Sequence, residues 1–290
     1  MSNSTHPSRI RGLSEIVADY RYILCDAWGV VHNGVTAYPA ALDALKRCRQ
    51  AGRKVLIITN APRPKQQVME QFTRLGVDHD AFDAIITSGE AARDYLAARP
   101  GIRIHHVGEE RDLAIYDGLD VSMAGEEGAE LISCTGLFDD TTETPDTYAD
   151  AFARWKAQGL PLLCANPDKV VERGDKLVWC AGALAESYAG IGGETIILGK
   201  PHRPIYETAM ARFAELTGGP VDAGAILAIG DAAETDLRGA NDFGLDVLFV
   251  TAGIHAEAYG ERENPDTDRV NAFLEGTGIG ARAYIPHLTF

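Results

Sequence analysis

The chain has 290 residues, 46% of them hydrophobic and 24% charged, with a formal net charge of −15 at pH 7. That length suits one large domain or two ordinary ones with a sizeable core, and the acidic balance argues against nucleic-acid or anionic-membrane binding, which needs basic patches. An anionic substrate is not excluded, because a local Lys and a metal ion can reverse the potential inside a cleft.

Residues 1–8 are polar, contain Pro7 and read as a loose tail without a secretory signal. No uninterrupted apolar segment is long enough to span a bilayer. The five cysteines, Cys25, Cys48, Cys134, Cys164 and Cys180, form no C-x-x-C pair. They read as buried thiols of a protein in a reducing cytoplasm.

The first apolar run, Tyr22 to Cys25, reads as a central parallel strand buried on both faces, and it delivers Asp26 into the turn at Gly29. A helix from Tyr38 to Ala51 follows, with Leu42, Leu45 and Cys48 on one face and Gly52 as its stop. The next strand, from Lys54, ends in Thr59 and Asn60; a helix from about Pro64 to Gly76, a short strand Ala84–Thr87 and a helix from Ser88 to Ala98 complete this part.

Pro100-Gly101 and the Gly-rich stretch 190–193 bracket a middle unit, residues 101–193. Inside it Ile102–Val107, Leu131–Thr135 and Leu160–Ala165 read as strands, and about Pro145 to Gln158 as a helix. Gly192-Gly193 reads as the hinge of this unit. The first pattern then resumes with a strand to Leu198, followed by Gly199-Lys200-Pro201-His202, a helix from Pro204 to Leu216 and a strand from Ala225 that ends in Gly230-Asp231. Thr235-Asp236 and a last strand, Val247–Val250, follow. Beyond Glu257 the chain is polar, and its apolar patch at Ala283–Pro286 docks either on the core or on another subunit, which leaves a homodimer open.

Strands alternating with helices predict an α/β fold: a Rossmann-like parallel sheet in a discontinuous core, residues 9–100 and 194–290, interrupted by an inserted domain. In such sheets ligands bind beyond the carboxyl ends of the strands. If the strands are parallel neighbours, one crevice receives Asp26, Thr59, Asn60, Lys200, Asp231 and Asp236. Carboxylates hold Mg²⁺ through oxygen, Lys neutralises phosphate charge, and hydroxyl and backbone N–H groups orient phosphate oxygens. A strand-terminal Asp on its own could equally be a turn cap; the four polar strand ends together point to chemistry. No P-loop or Gly-x-Gly-x-x-Gly turn follows the first strand, which disfavours NTP or NAD binding.

From Tyr22 to Val250 the chain resembles the haloacid dehalogenase superfamily, and within it the subgroup of NagD-type and pyridoxal-phosphate-type phosphatases with a large C2-type α/β cap. The strings that carry the resemblance are Asp26-Ala27-Trp28-Gly29-Val30 with Gly34, Thr59-Asn60-Ala61-Pro62-Arg63, Asn166-Pro167-Asp168, Gly199-Lys200-Pro201, and Gly230-Asp231 with Thr235-Asp236. The resemblance implies that Asp26 is a nucleophile forming an aspartyl-phosphate and that Mg²⁺ binds Asp26, Asp231 and the main-chain carbonyl of Trp28, with Asp236 holding the metal's water shell or its loop. Thr59 and the Asn60 N–H would hold phosphate, Lys200 would orient Asp26 and counter its charge, and cap residues near Asn166, Asp168 and 182–186 would choose a small phosphorylated metabolite.

One position departs from that pattern. The subgroup's phosphatases carry an Asp two residues after the nucleophile as general acid and base, whereas this chain has Trp28. An indole cannot protonate an alkoxide near neutral pH, and general acid–base help is worth about 10²–10⁴-fold. His32, His202, Glu234 and Asp168 are the candidate replacements; without one, turnover would be restricted to activated phosphates. Two other readings stay open: a phosphometabolite-binding protein that has lost turnover, supported by Trp28, and a dehalogenase-like hydrolase, whose Asp-x-Tyr-Gly motif Asp26-Ala27-Trp28-Gly29 approaches. Against the latter stand the acidic pair Asp231 and Asp236 and the lack of a basic cradle for a carboxylate.

Overall fold

The computed structural model describes residues 3–174 and 176–290. Two parallel sheets organise the chain. The first has seven strands in the order Ser8–Arg9, Ala283–Ile285, Asp246–Val250, Ile226–Gly230, Tyr22–Asp26, Lys54–Thr59, Ala84–Thr87. Each neighbouring pair is parallel. Parallel strands need crossover connections, and the helices Pro39–Gln50, Lys65–Leu75, Arg203–Thr217 and Arg238–Phe243 supply them. Every residue of Tyr22–Asp26 and Ile226–Gly230 is buried, as expected of central strands covered on both faces. One face packs on a cluster around Leu45, Ile57 and Phe72, the other on a cluster around Leu24, Phe213 and Phe249.

The second sheet has five parallel strands in the order Thr195–Ile197, Leu162–Cys164, Leu131–Cys134, Ile102–Val107, Val121–Met123. Trp155 and Tyr188, from the helices Ala149–Ala157 and Ala181–Gly190, fill one of its faces. A two-stranded antiparallel hairpin, Val170–Arg173 with Lys176–Trp179, stands apart from both sheets.

Three expectations need correction. Thr195–Ile197 pairs with Leu162–Cys164 in the second sheet, not with the first. A three-residue run has no signal for the sheet it joins; the passage back to the first sheet therefore lies after Ile197, not at residue 194. Gly192-Gly193 consequently sits inside the second unit, with Gly193 packed on the Tyr188 ring, and is not a hinge between units. The amino-terminal segment is tied down: Ser4 bridges Ala281, Asn3 bonds Leu245 and Val247, and Ser8–Arg9 joins the sheet edge; residues 1 and 2 lie outside the described residues. The apolar patch at 283–286 docks on the chain's own sheet through Ala283–Ile285. Among the described residues no helix is long and apolar enough to cross a membrane.

Candidate active site

The carboxyl ends of the two central strands carry Asp26 and, one residue beyond Gly230, Asp231. Three further segments converge on them. Lys200 enters after the second sheet's last strand. The π-helical turn Ala233–Leu237 carries Asp236. Thr59 and Asn60 close the next strand. Asp26, Asp231, Asp236 and Lys200 are each at least 94% buried. Lys200 Nζ donates to Asp26 Oδ1 at 2.5 Å and to Asp236 Oδ1 at 2.6 Å.

Each carboxylate has a distinct support. Asp231 accepts the Ile254 N–H at 2.8 Å and is flanked by two glycines. A Cβ on Gly29, which has φ +82°, would lie 2.2 Å from Asp231 Oδ2, and one on Gly253 would lie 1.9 Å from it. Asp236 Oδ2 accepts the N–H groups of Asp231 and Ala232 at 3.2 and 3.1 Å, so it also braces the loop that presents Asp231. Asn60 fastens the Lys200 segment: its Oδ1 accepts the Lys200 N–H at 2.8 Å and its Nδ2 donates to the Lys200 carbonyl at 3.2 Å.

Oxygen atoms of Asp26, Asp231 and Asp236 lie within 4.8 Å of one another. Burial, and then the charge of Asp236, raise the Asp26 carboxyl well above its usual range and push Asp231 up to about 8. Burial alone would lower Lys200, but Asp236 and Asp26 overcome it and hold the ammonium protonated. Three buried carboxylates around one ammonium leave uncompensated negative charge. An oxygen-only set of this kind fits a hard divalent cation, which would restore the ionised forms.

Two cavities meet here. One is bordered by Asp26, Lys200, Asp231, Asp236, Thr235 and Tyr38. The other, with about 90 Å³ of room, is bordered by Thr59, Arg63, Phe72, Asp140 and Arg173 among others. That exceeds the ~10–15 Å³ one water needs. Trp28, Asp168 and Val171 border both. The hydroxyl Oγ1 of Thr235, on the first cavity's wall, is buried without a hydrogen-bond partner among the described residues.

Burial and contacts separate the remaining candidates. Asp168 Oδ1 accepts from Asn60 Nδ2 at 2.8 Å, and Asn166 Oδ1 receives the Asp168 N–H at 3.2 Å. Residues 182–186 border neither cavity: Gly182 to Ala185 are buried in the helix Ala181–Gly190, and Glu186 pairs with Lys169 outside. His202 and Glu234 also border neither, and Glu234 pairs with Arg238. His32 is packed between Trp28 and Phe72, and burial pulls it down to about 4, so it is neutral and a poor proton donor.

The hairpin 170–179 is not among the elements expected from the sequence. Its Val170, Val171 and Glu172 border the first cavity, and the Glu172 carbonyl accepts the Trp28 indole N–H at 2.6 Å. Two short apolar runs on either side of Gly174, Val170-Val171 and Leu177-Val178-Trp179, were the available hairpin signal.

Known proteins share this arrangement of segments. The haloacid dehalogenase-like hydrolase family matches residues 23–122, and a HAD-hydrolase-like family matches residues 197–275. A crystal structure of a haloacid dehalogenase-like hydrolase from Brucella suis 1330 is 46% identical, covers 97% of this chain and 99% of its own, and superposes with a TM-score of 0.86. Chronophin of Bos taurus is 24% identical over 87% of this chain and 90% of its own length. The D-glycerol 3-phosphate phosphatase of Mycobacterium tuberculosis is 26% identical over 84% of this chain and 66% of its own length.

Proposed function

This chain belongs to the haloacid dehalogenase-like hydrolases, and we propose that it is a Mg²⁺-dependent phosphatase of a small phosphorylated metabolite, working through an aspartyl-phosphate on Asp26. It is a phosphoric monoester hydrolase, as its phosphatase relatives indicate. One observation carries the finer reading: a strand-terminal carboxylate, Asp26, held at 2.5 Å by a buried Lys and facing two further buried carboxylates.

In this reading Asp26, Asp231 and the Trp28 carbonyl hold the metal, with Asp236 supporting them. When bound, the cation supplies charge neutralisation between the nucleophile and the incoming phosphate. Lys200 orients Asp26 by donating to Oδ1, leaving Oδ2 as the attacking atom. Thr59 and the Asn60 N–H receive phosphate oxygens, and Lys200 shares their charge. Arg262 and Trp28 hold Glu172 of the hairpin at the border of the cavity, at 2.7 and 2.6 Å. The adjoining cavity's modest room suits a short leaving group, and one relative is named for D-glycerol 3-phosphate.

The test is phosphate release from aryl and alkyl phosphates, with Mg²⁺ and with chelator, using Asp26→Asn as control. Mg²⁺-dependent release that vanishes in the variant is expected. Release that persists in Asp26→Asn would refute nucleophilic catalysis by that residue.

A further inference from the structure

With Trp28 in place of an acid, protonation of the leaving oxygen needs another donor. Such a group must reach the phosphate beside Asp26 and the leaving group in the adjoining cavity. Among the described residues five acidic side chains border the first cavity and four the second, and Asp168 alone borders both. The others are committed. Glu172 is paired with Arg262, Asp112 with Arg63, Asp140 with Arg173 and Arg111, and Glu109 with Arg111. Asp26, Asp231 and Asp236 form the carboxylate cluster itself.

Asp168 has no ion pair within 4 Å among the described residues. It is fixed by neutral contacts on three sides: Asn60 Nδ2 to its Oδ1 at 2.8 Å, its own N–H to Asn166 Oδ1 at 3.2 Å, and its carbonyl from the Gly182 N–H at 3.1 Å. The first of these ties it to the residue that also anchors Lys200, so its place is set relative to the nucleophile. We infer that Asp168, carried by the inserted unit, is the general acid of this hydrolase and the base of its second step, taking the part that Trp28 cannot play. The inference rests on the phosphatase reading above.

Protons and electron pairs balance over the two steps. In the first step an Asp26 oxygen forms a bond to phosphorus, the bond from phosphorus to the leaving oxygen breaks, and the Asp168 proton passes to that oxygen. In the second, a water oxygen attacks phosphorus and gives its proton to Asp168; the bond between phosphorus and Asp26 breaks, and its electron pair returns to the carboxylate. Burial raises the Asp168 carboxyl, partly offset by Lys200 and the Asn60 amide and reinforced by Asp236. Asp231 and the thiols Cys164 and Cys180 are the other titratable groups that sense it. A raised carboxyl keeps its proton for the first step.

The test is Asp168→Asn in the full chain with Mg²⁺, followed by rapid mixing with 4-nitrophenyl phosphate and, separately, with glycerol 3-phosphate. Nitrophenolate needs no proton to leave, so the variant should release one equivalent in a burst and then stall at the phosphoenzyme. With glycerol 3-phosphate there should be no burst, and turnover should fall about 10²–10⁴-fold. Asp168→Glu should recover part of that turnover. Unchanged turnover, or an equal fall on both esters without a burst, would reduce Asp168 to a positioning role and overturn the inference. In that case the wild type would still be active and the phosphatase reading intact; a wild type inert on every ester would remove both.

Discussion

Trp28 and Glu172 meet through a hydrogen bond of 2.6 Å, from the indole N–H to the main-chain carbonyl. The side chain that stands two residues after Asp26 therefore fastens the hairpin of the inserted unit over the site instead of handling protons. Its ring needs room as well: a Cβ on Gly34 would lie 2.4 Å from it.

Trp28→Phe keeps an aromatic ring, though a smaller one, and removes the donor. A net hydrogen bond is worth about 0.5–1.5 kcal/mol, so amide exchange across 170–179 should speed up roughly two- to tenfold by that same estimate, with a rise in KM. Hydrogen-exchange mass spectrometry checks this, and unchanged exchange in the hairpin would show that the contact does not hold it.

Among the described residues Lys200 is the sole cation paired with the Asp26, Asp231 and Asp236 cluster, at 2.5 Å from Asp26 and 2.6 Å from Asp236. Breaking a buried pair by removing one partner costs about 3–5 kcal/mol. Lys200→Met should therefore lose stability of that order by urea denaturation in chelator. Adding Mg²⁺ should narrow the gap, because a bound cation neutralises the same carboxylates.

The pH dependence of metal stabilisation follows from Asp231. Its folded carboxyl is pushed up to about 8, above its ordinary value of 3.8. The native state thus holds a proton that the unfolded chain releases, and metal-free stability contributed by this group is lost as pH rises through that interval. Mg²⁺ requires the ionised form, so its binding expels the proton and tightens with pH. The gain in Tm on adding Mg²⁺ should be larger near about pH 9 than near about pH 6. A gain that shrinks with rising pH would count against carboxylate ligation by this cluster.

What the sequence disclosed was the material at strand ends. Strands such as Tyr22–Asp26 are buried at every residue, so a polar group can appear only where the strand stops, and Asp26, Thr59 and Asp231 stand out for that reason. Lys200 was legible too, although the strand before it belongs to the other sheet. Pairing partners are non-local, which hid the sheet of Thr195–Ile197 and the docking of Ser8–Arg9 on Ala283–Tyr284. The clasp of Trp28 on Glu172 spans 144 positions, and no local pattern announces it.

Gly182 supplies a test of the Asn166–Asp168 segment from outside the site. Its Cβ position lies 2.1 Å from the Pro167 carbonyl oxygen, so Gly182→Ala must displace that segment, whose Asn166 and Asp168 border the second cavity. Overpacking of this kind costs about 1–3 kcal/mol. Activity should fall by more than the loss of folded protein explains, measured as kcat on material shown to be folded by circular dichroism.

The central claim is that phosphate passes through Asp26. The most direct measurement is acid quench of the enzyme within a single turnover of 4-nitrophenyl phosphate, followed by mass spectrometry of the peptide that contains Asp26. One added phosphoryl group on Asp26 is expected, absent in Asp26→Asn and in chelator. Nitrophenolate release at full rate with Asp26 unmodified throughout the turnover would contradict it.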